Sequence, residues 1–102
     1  RYSVTPEIRV PCPDERKFEV VGELVQRFKQ RYPVVDVDGA RVIFPDGWGL
    51  VRASNTQPVL VVRAEGKTPE ALERIKGILE EALRAFPECG PIDWLETAAG
   101  VG

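Results

Sequence analysis

Histidine and methionine are absent from this chain of 102 residues, and it has only two cysteines. The lack of histidine removes the side chain that most often acts as a general base near neutral pH, and it removes a preferred metal ligand. Two cysteines without further partners do not make a zinc site. Because the chain has no methionine and begins at Arg1, we expect it to be a piece of a longer polypeptide.

The charge balance and the lack of long apolar runs argue against two further classes of protein, nucleic-acid binders and membrane proteins. The formal net charge is −2 and the pI is near 5.2, so the basic surplus of a general nucleic-acid binder is missing. No apolar run approaches the roughly 20 residues that cross a bilayer, and no signal peptide is visible. We therefore expect a cytoplasmic protein that contacts neither nucleic acid nor membrane.

The two cysteines, Cys12 and Cys89, are far apart in the sequence. A disulfide between them is possible but cannot be deduced from the sequence. Since disulfides are rare in the cytosol, we expect two free thiols that are partly buried.

The N-terminal part of the chain predicts a strand and a helix. Thr5 to Val10 alternates as a short strand does, and prolines stop it. Asp14 can cap a helix that runs to about Arg31. Apolar residues recur there at three- and four-residue spacing, which predicts a buried stripe of Phe18, Val21, Val25 and Phe28.

Four further strands and a second helix follow. The strands are predicted at residues 34–37, 41–44, 48–53 and 59–64, and Asp38-Gly39 is a strong hairpin signal. Thr68 and Pro69 supply the cap and the first position of a helix that ends before Pro87. The order β-α-β-β-β-β-α predicts an α+β fold, in which a largely antiparallel sheet of four to five strands has both helices packed on one face.

The stretch that most resembles a binding site is Arg52-Ala53-Ser54-Asn55-Thr56-Gln57-Pro58. It combines a guanidinium, two hydroxyls, a carboxamide and turn amides, which are the donors that hold a phosphate. It lies between two apolar strands, and loops held by a rigid sheet are common binding sites. An ordinary hairpin turn remains an alternative, because Ser, Asn, Thr and Pro all favour turns.

Catalysis by this chain alone is not expected. Ser54 and Thr56 have no histidine to activate them, and no lysine is close to either in the sequence. Asp36, Asp38 and Asp46 are spaced as strand-end and turn residues are, which is not the pattern of a catalytic acid/base pair.

The motif R-x-S-N-T-x-P, with G-W-G-L-V before it and V-L-V-V-R-A-E after it, resembles the phosphate-binding loop of the fourth, C-terminal domain of the α-D-phosphohexomutases. The resemblance includes the run D-G-A-R-V at residues 38–42 and the helix at residues 68–85. It also includes Thr5-Pro6-Glu7-Ile8, which is similar to the hinge that enters that domain. Phosphoglucosamine mutases typically have Gly in the place of Asn55, so the chain looks closest to the phosphomannomutase/phosphoglucomutase branch.

The resemblance implies a fold similar to that of the TATA-box-binding protein. It also implies that the chain consists of one domain followed by a tail. Residues 1–87 would form the phosphate-binding domain, with residues 1–7 as the hinge, and residues 88–102 would be a loosely ordered tail. The longer enzyme would interconvert hexose 1-phosphate and hexose 6-phosphate of mannose or glucose. Three preceding domains would supply its catalytic phosphoserine, a magnesium site and a sugar-binding loop.

The site residues that the resemblance implies are Arg52 for charge, Ser54 and Thr56 for their hydroxyls, Asn55 for its carboxamide and Ala53 through its backbone. Arg63 resembles an arginine common in close relatives, where it would add positive field or tie the sheet edge. Trp48 is expected to pack under the loop. The chain itself would hold no cofactor and would bind phosphosugar without turning it over. The alternatives are a stand-alone anion or nucleic-acid binding module, and a purely structural domain.

Overall fold

The computed structural model describes residues 2–95 and contains six strands and two helices. The elements in chain order are β1 (Ser3–Val4), β2 (Ile8–Pro11), α1 (Asp14–Lys29), β3 (Val34–Val35), β4 (Ala40–Phe44), β5 (Gly47–Ala53), β6 (Val59–Gly66) and α2 (Pro69–Leu83). The predicted α+β class is confirmed. The sheet has one strand more than expected, because the segment predicted as one strand from Thr5 begins at Ile8 and a separate β1 precedes it.

All the strand pairs are antiparallel, and β5 and β6 form the centre of the sheet. The order is β1-β6-β5-β4-β3, with β2 also paired to β6. Val51 lies opposite Val62, which lies opposite Ile8, and all three are buried beneath the helices. Because successive side chains point to opposite faces, β4 to β6 present their other residues on a face away from the helices.

Helix α1 buries three of the four residues of the predicted stripe, Val21, Val25 and Phe28. Phe18 was predicted to be buried but is 58% exposed, whereas Lys17 is 4% exposed. Leu24 joins the buried face instead. Pro13 occupies the N-cap position with no side-chain cap, so the prediction that Asp14 caps the helix is wrong. Asp14 forms an ion pair with Lys17.

The start of helix α2 confirms its sequence signal. Thr68 Oγ1 accepts a hydrogen bond of 3.0 Å from the amide of Ala71, and Pro69 is the first helical residue. Strand β3 is shorter than predicted and ends at Val35 rather than Val37. Among residues 2–95, neither helix is long and apolar enough to cross a membrane.

The expectation of free thiols is wrong, because Cys12 and Cys89 form a disulfide. The fold brings the end of β2 beside the segment after α2, where the amide of Gly90 donates to Pro11 O at 2.9 Å. Further along, Trp94 Nε1 donates to Glu80 Oε2 at 2.6 Å. These hydrogen bonds connect residues 88–95 to the body of the domain. The loosely ordered tail at residues 88–102 stays a prediction, and residues 96–102 lie outside the described part.

Candidate functional site

The loop Ser54-Asn55-Thr56-Gln57-Pro58 closes the central β5–β6 hairpin. Ala53 pairs with Leu60, and the Ser54 amide donates to Val59 O at 3.0 Å, so the strand ladder continues to the base of the loop. The loop thus stands at one end of the most central pair of strands. Its position is fixed by the sheet, as the sequence predicted.

Ser54 organises the loop from inside. Its hydroxyl oxygen accepts hydrogen bonds from the amides of Thr56, at 3.2 Å, and Gln57, at 3.1 Å, and the residue is 9% exposed. These two amides are therefore engaged within the loop. Since both lone pairs of the Ser54 oxygen are engaged, its O–H remains as a donor.

The carbonyl groups of the loop are held from the β2–α1 corner. Lys17 Nζ donates to Gln57 O at 2.8 Å, and the Cys12 amide donates to Pro58 O at 2.9 Å. Sequence reasoning missed Lys17, because it is distant from the loop along the chain. A signal was present: Lys17 stands three and four residues before Val20 and Val21, so it interrupts an apolar stripe with a cation.

Arg52, the predicted charge of the site, ends the exposed face of β5. Its side chain is 38% exposed, and its guanidinium lies 3.5 Å from a carboxylate oxygen of Glu7. The stem of Arg52 is packed against Gly39, where a Cβ atom would come within 2.7 Å of the Arg52 Cβ. The guanidinium is thus neither buried nor fully neutralised. It remains within reach of solvent beside the loop.

A cleft of about 530 Å³ opens next to the loop. Its lining includes Arg52, Ala53 and Asn55 from β5 and the loop, together with Phe18 of α1 and Asp38. Three of the predicted site residues therefore share one cleft.

Thr56 is exposed on the loop and Ser54 is buried, and neither lines this cleft. Arg63 lies further along the sheet, with its guanidinium 5.8 Å from the centre of the Trp48 ring. Trp48 is also stacked by Arg41, at 4.6 Å, and it lies near the start of β5, at the end of the strand remote from the loop. The expectation that Trp48 packs under the loop is therefore wrong.

Two of the carboxylates that the sequence analysis examined are engaged in ion pairs. A hydrogen bond from Arg74 lowers the pKa of Asp46, and one from Lys29 lowers the pKa of Asp36. Both carboxyl groups are therefore stabilised in the charged form, as turn and strand-end residues that link elements. Within residues 2–95, no three His, Cys, Asp or Glu side chains come together as metal ligands. The residues described do not fit a magnesium site.

Comparison with known proteins places this geometry in a family. The model of the phosphoglucomutase/phosphomannomutase C-terminal domain matches residues 7–82. A phosphomannomutase/phosphoglucomutase of Pseudomonas aeruginosa is 46% identical over 90 residues, which cover 86% of this chain and 19% of that protein. A phosphoglucomutase of Neisseria meningitidis is 41% identical over 86 residues, which cover 81% of this chain and 19% of that protein.

The fold is also similar to that of a solved structure from this family. A crystal structure of a phosphoglucomutase/phosphomannomutase family protein from Burkholderia thailandensis matches with a TM-score of 0.66 and 32% sequence identity, and the match covers 90% of this chain and 19% of that chain. The chain thus spans about a fifth of the length of the relatives it matches. It belongs to the phosphoglucomutase/phosphomannomutase family, as the C-terminal domain.

Proposed function

We propose that this chain binds a phosphate group of a hexose phosphate at the loop Ser54–Pro58 and closes the substrate cleft of a longer phosphomannomutase/phosphoglucomutase. The arrangement of donors at Ser54 is the observation that carries the proposal. Because the Ser54 oxygen accepts from two loop amides, its O–H is left to donate. The loop is therefore organised by two of its amides, and its side-chain donors are left for an anion.

The expected phosphate donors are the Arg52 guanidinium, the hydroxyls of Ser54 and Thr56, and the carboxamide of Asn55. Ala53, which lines the cleft, would contribute through its backbone. Hydrogen bonds from a guanidinium to a phosphate oxygen are charge-assisted and can be bidentate, so Arg52 would supply most of the electrostatic attraction. Arg63 stacks on Trp48 on the face of β6 away from the helices, and it would contribute positive field rather than a direct contact.

Binding of the phosphate that does not react can assist catalysis elsewhere on the substrate. Contacts to a phosphate remote from the reaction can orient the hydroxyl that reacts at the other end of the sugar. The substrates would be glucose or mannose 1- and 6-phosphates, and the preceding domains of the same polypeptide would carry the catalytic phosphate and magnesium. The chain described here would bind substrate without interconverting it.

The test is a calorimetric titration of the 102-residue chain with glucose 1-phosphate. We expect a dissociation constant on the order of a millimolar, since one loop holds the ligand without its partner domains. Arg52→Ala should weaken binding about tenfold or more. The matched control is Arg41→Ala, which removes a guanidinium that stacks on Trp48, remote from the loop. Equal losses in both variants, or none in Arg52→Ala, would contradict the proposal.

A further inference from the structure

We infer that Lys17 is a positioning residue of the Ser54–Pro58 loop, and that its buried ammonium group holds this loop in the conformation that binds phosphate. The second half of this inference rests on the proposed function. The first half, the ordering of the loop by Lys17, concerns the chain without ligand and can be measured separately.

The contacts of Lys17 give the inference its basis. Its side chain is 6% exposed, and its Nζ atom donates to Gln57 O at 2.8 Å across 40 residues of sequence. The same atom lies 2.8 Å from Asp14 Oδ1, and the Asp14 side chain is 66% exposed. A lysine is seldom buried in this way, because desolvation of an ammonium group is costly unless it is paired and hydrogen-bonded. Lys17 directs one of its hydrogen bonds to the loop.

The effect of this bond on the loop follows from the other polar groups. Lys17 and the Cys12 amide draw the carbonyl groups of Gln57 and Pro58 inward, toward the β2–α1 corner. Ser54 draws two amides inward on the other side of the turn. The carbonyl groups of Gln57 and Pro58 and the amides of Thr56 and Gln57 are thus engaged within the domain, and the side-chain donors of the loop are left for a ligand. The Gln57 carbonyl also accepts from the Val59 amide at 2.8 Å, so loss of the Lys17 bond would remove one of its two donors among the described residues, the one that ties it to helix α1.

The positive charge of Lys17 also favours the binding of an anion at the loop. An ammonium group behind the loop favours an anion in front of it, and low exposure weakens the solvent screening of that interaction. Asp14 offsets part of this charge, but it is largely exposed to water and therefore offsets it incompletely.

The experiment compares Lys17→Met with Lys29→Met in the 102-residue chain. Lys29 is the matched control, because it lies on the same helix and also forms an ion pair, at 2.8 Å from Asp36, but remote from the loop. Two readouts are taken: amide hydrogen exchange of Thr56 and Gln57 without ligand, and the dissociation constant for inorganic phosphate. Lys17→Arg tests rescue by a second cation.

We expect Lys17→Met to accelerate exchange of the two loop amides at least tenfold relative to the core amide of Val62, and to weaken phosphate binding about tenfold. Lys29→Met should change neither value by more than about twofold, and Lys17→Arg should recover most of both. If Lys17→Met does not fold, Lys17→Gln replaces it, since its side chain is uncharged and too short to keep both contacts.

Unchanged loop exchange in the uncharged variant would overturn the inference. The same holds if loop and core amides accelerate equally, because Lys17 would then stabilise the whole fold and not the loop. If the unsubstituted chain fails to bind phosphate, the proposed function fails, while loop exchange still decides whether Lys17 positions the loop.

Discussion

The guanidinium of Arg52, in β5, and the carboxylate of Glu7, which immediately precedes β2, lie 3.5 Å apart. Both side chains remain partly exposed, at 38% and 46%. An exposed ion pair of this kind contributes little to stability, typically about 0 to 1 kcal/mol. It nevertheless matters for ligand binding, because a phosphate that takes the Arg52 guanidinium has to compete with Glu7.

The first prediction is that Glu7→Gln strengthens phosphate binding. Removal of the competing negative charge should lower the dissociation constant for inorganic phosphate about two- to fivefold. Glu65→Gln is the control, since Glu65 lies opposite Trp48, toward the other end of the sheet. Isothermal titration calorimetry measures both variants. Weaker binding in Glu7→Gln would show that Glu7 orients Arg52 instead of competing for it.

The second prediction concerns Gly39, which packs under the stem of Arg52. Its φ of +127° is unfavourable for other residues, and an added Cβ would lie 2.7 Å from both the Arg52 Cβ and Val51 O. Gly39→Ala should therefore destabilise the fold by about 1 to 3 kcal/mol and also weaken phosphate binding by displacing Arg52. Urea unfolding and phosphate titration measure the two effects.

A matched glycine controls for the substitution itself. Gly77 lies within helix α2, and a Cβ atom there would meet nothing within 4 Å. Gly77→Ala should stabilise the chain by about 0.5 to 1 kcal/mol, because alanine loses less backbone entropy in a helix. Equal effects of the two substitutions would contradict the account of Gly39.

The third prediction is that the Cys12–Cys89 disulfide stabilises the domain. It closes a loop with a sequence separation of 77 residues, which restricts the unfolded chain. Reduction with dithiothreitol, or the double substitution of both cysteines by serine, should lower the free energy of unfolding by about 2 to 4 kcal/mol. Urea unfolding with and without reductant measures this. No difference between the two conditions would contradict a constraint from the disulfide.

The fourth prediction is a pH dependence at the ion pair of Asp46 and Arg74, whose two hydrogen bonds measure 2.9 and 2.5 Å. Arg74 lowers the pKa of Asp46 in the folded state, so the pair stabilises the fold fully above the ordinary pKa of about 4. That contribution is lost as the pH falls through the lowered pKa. From neutral to acidic pH, the difference in urea unfolding between wild type and Asp46→Asn should be largest near neutral pH and should shrink as the Asp46 carboxylate is protonated. A constant difference across this range would contradict the ion pair as its cause.

Local signals predicted much of the fold. Thr68 and Pro69 specified the start of α2, and Asp38-Gly39 specified the turn before β4, because caps and turns depend on residues a few positions apart. The loop from Arg52 was placed correctly for the same reason, since apolar strands flank it directly. The first turn of α1 was harder to predict, because Lys17 and not Phe18 lies on the buried face, whereas Val25 and Phe28 are buried as predicted.

The relationships that shape the site could not be predicted in this way. Lys17 and Gln57 are 40 residues apart, and Cys12 and Cys89 are 77 apart. Each pair meets because β2 joins the sheet beside β6. This strand pairing depends on the packing of the whole core rather than on any local sequence pattern. Residue types therefore indicated the candidate donors, whereas the groups that hold the loop in place follow from the topology.

The most direct test of the central claim is to follow the backbone amide resonances of the 102-residue chain while inorganic phosphate is added. The account predicts that the largest, saturable shifts occur at residues 52–57, and that they are lost in Arg52→Ala. Saturable shifts confined to other residues, with the resonances of residues 52–57 unmoved, would contradict the claim that this loop binds phosphate.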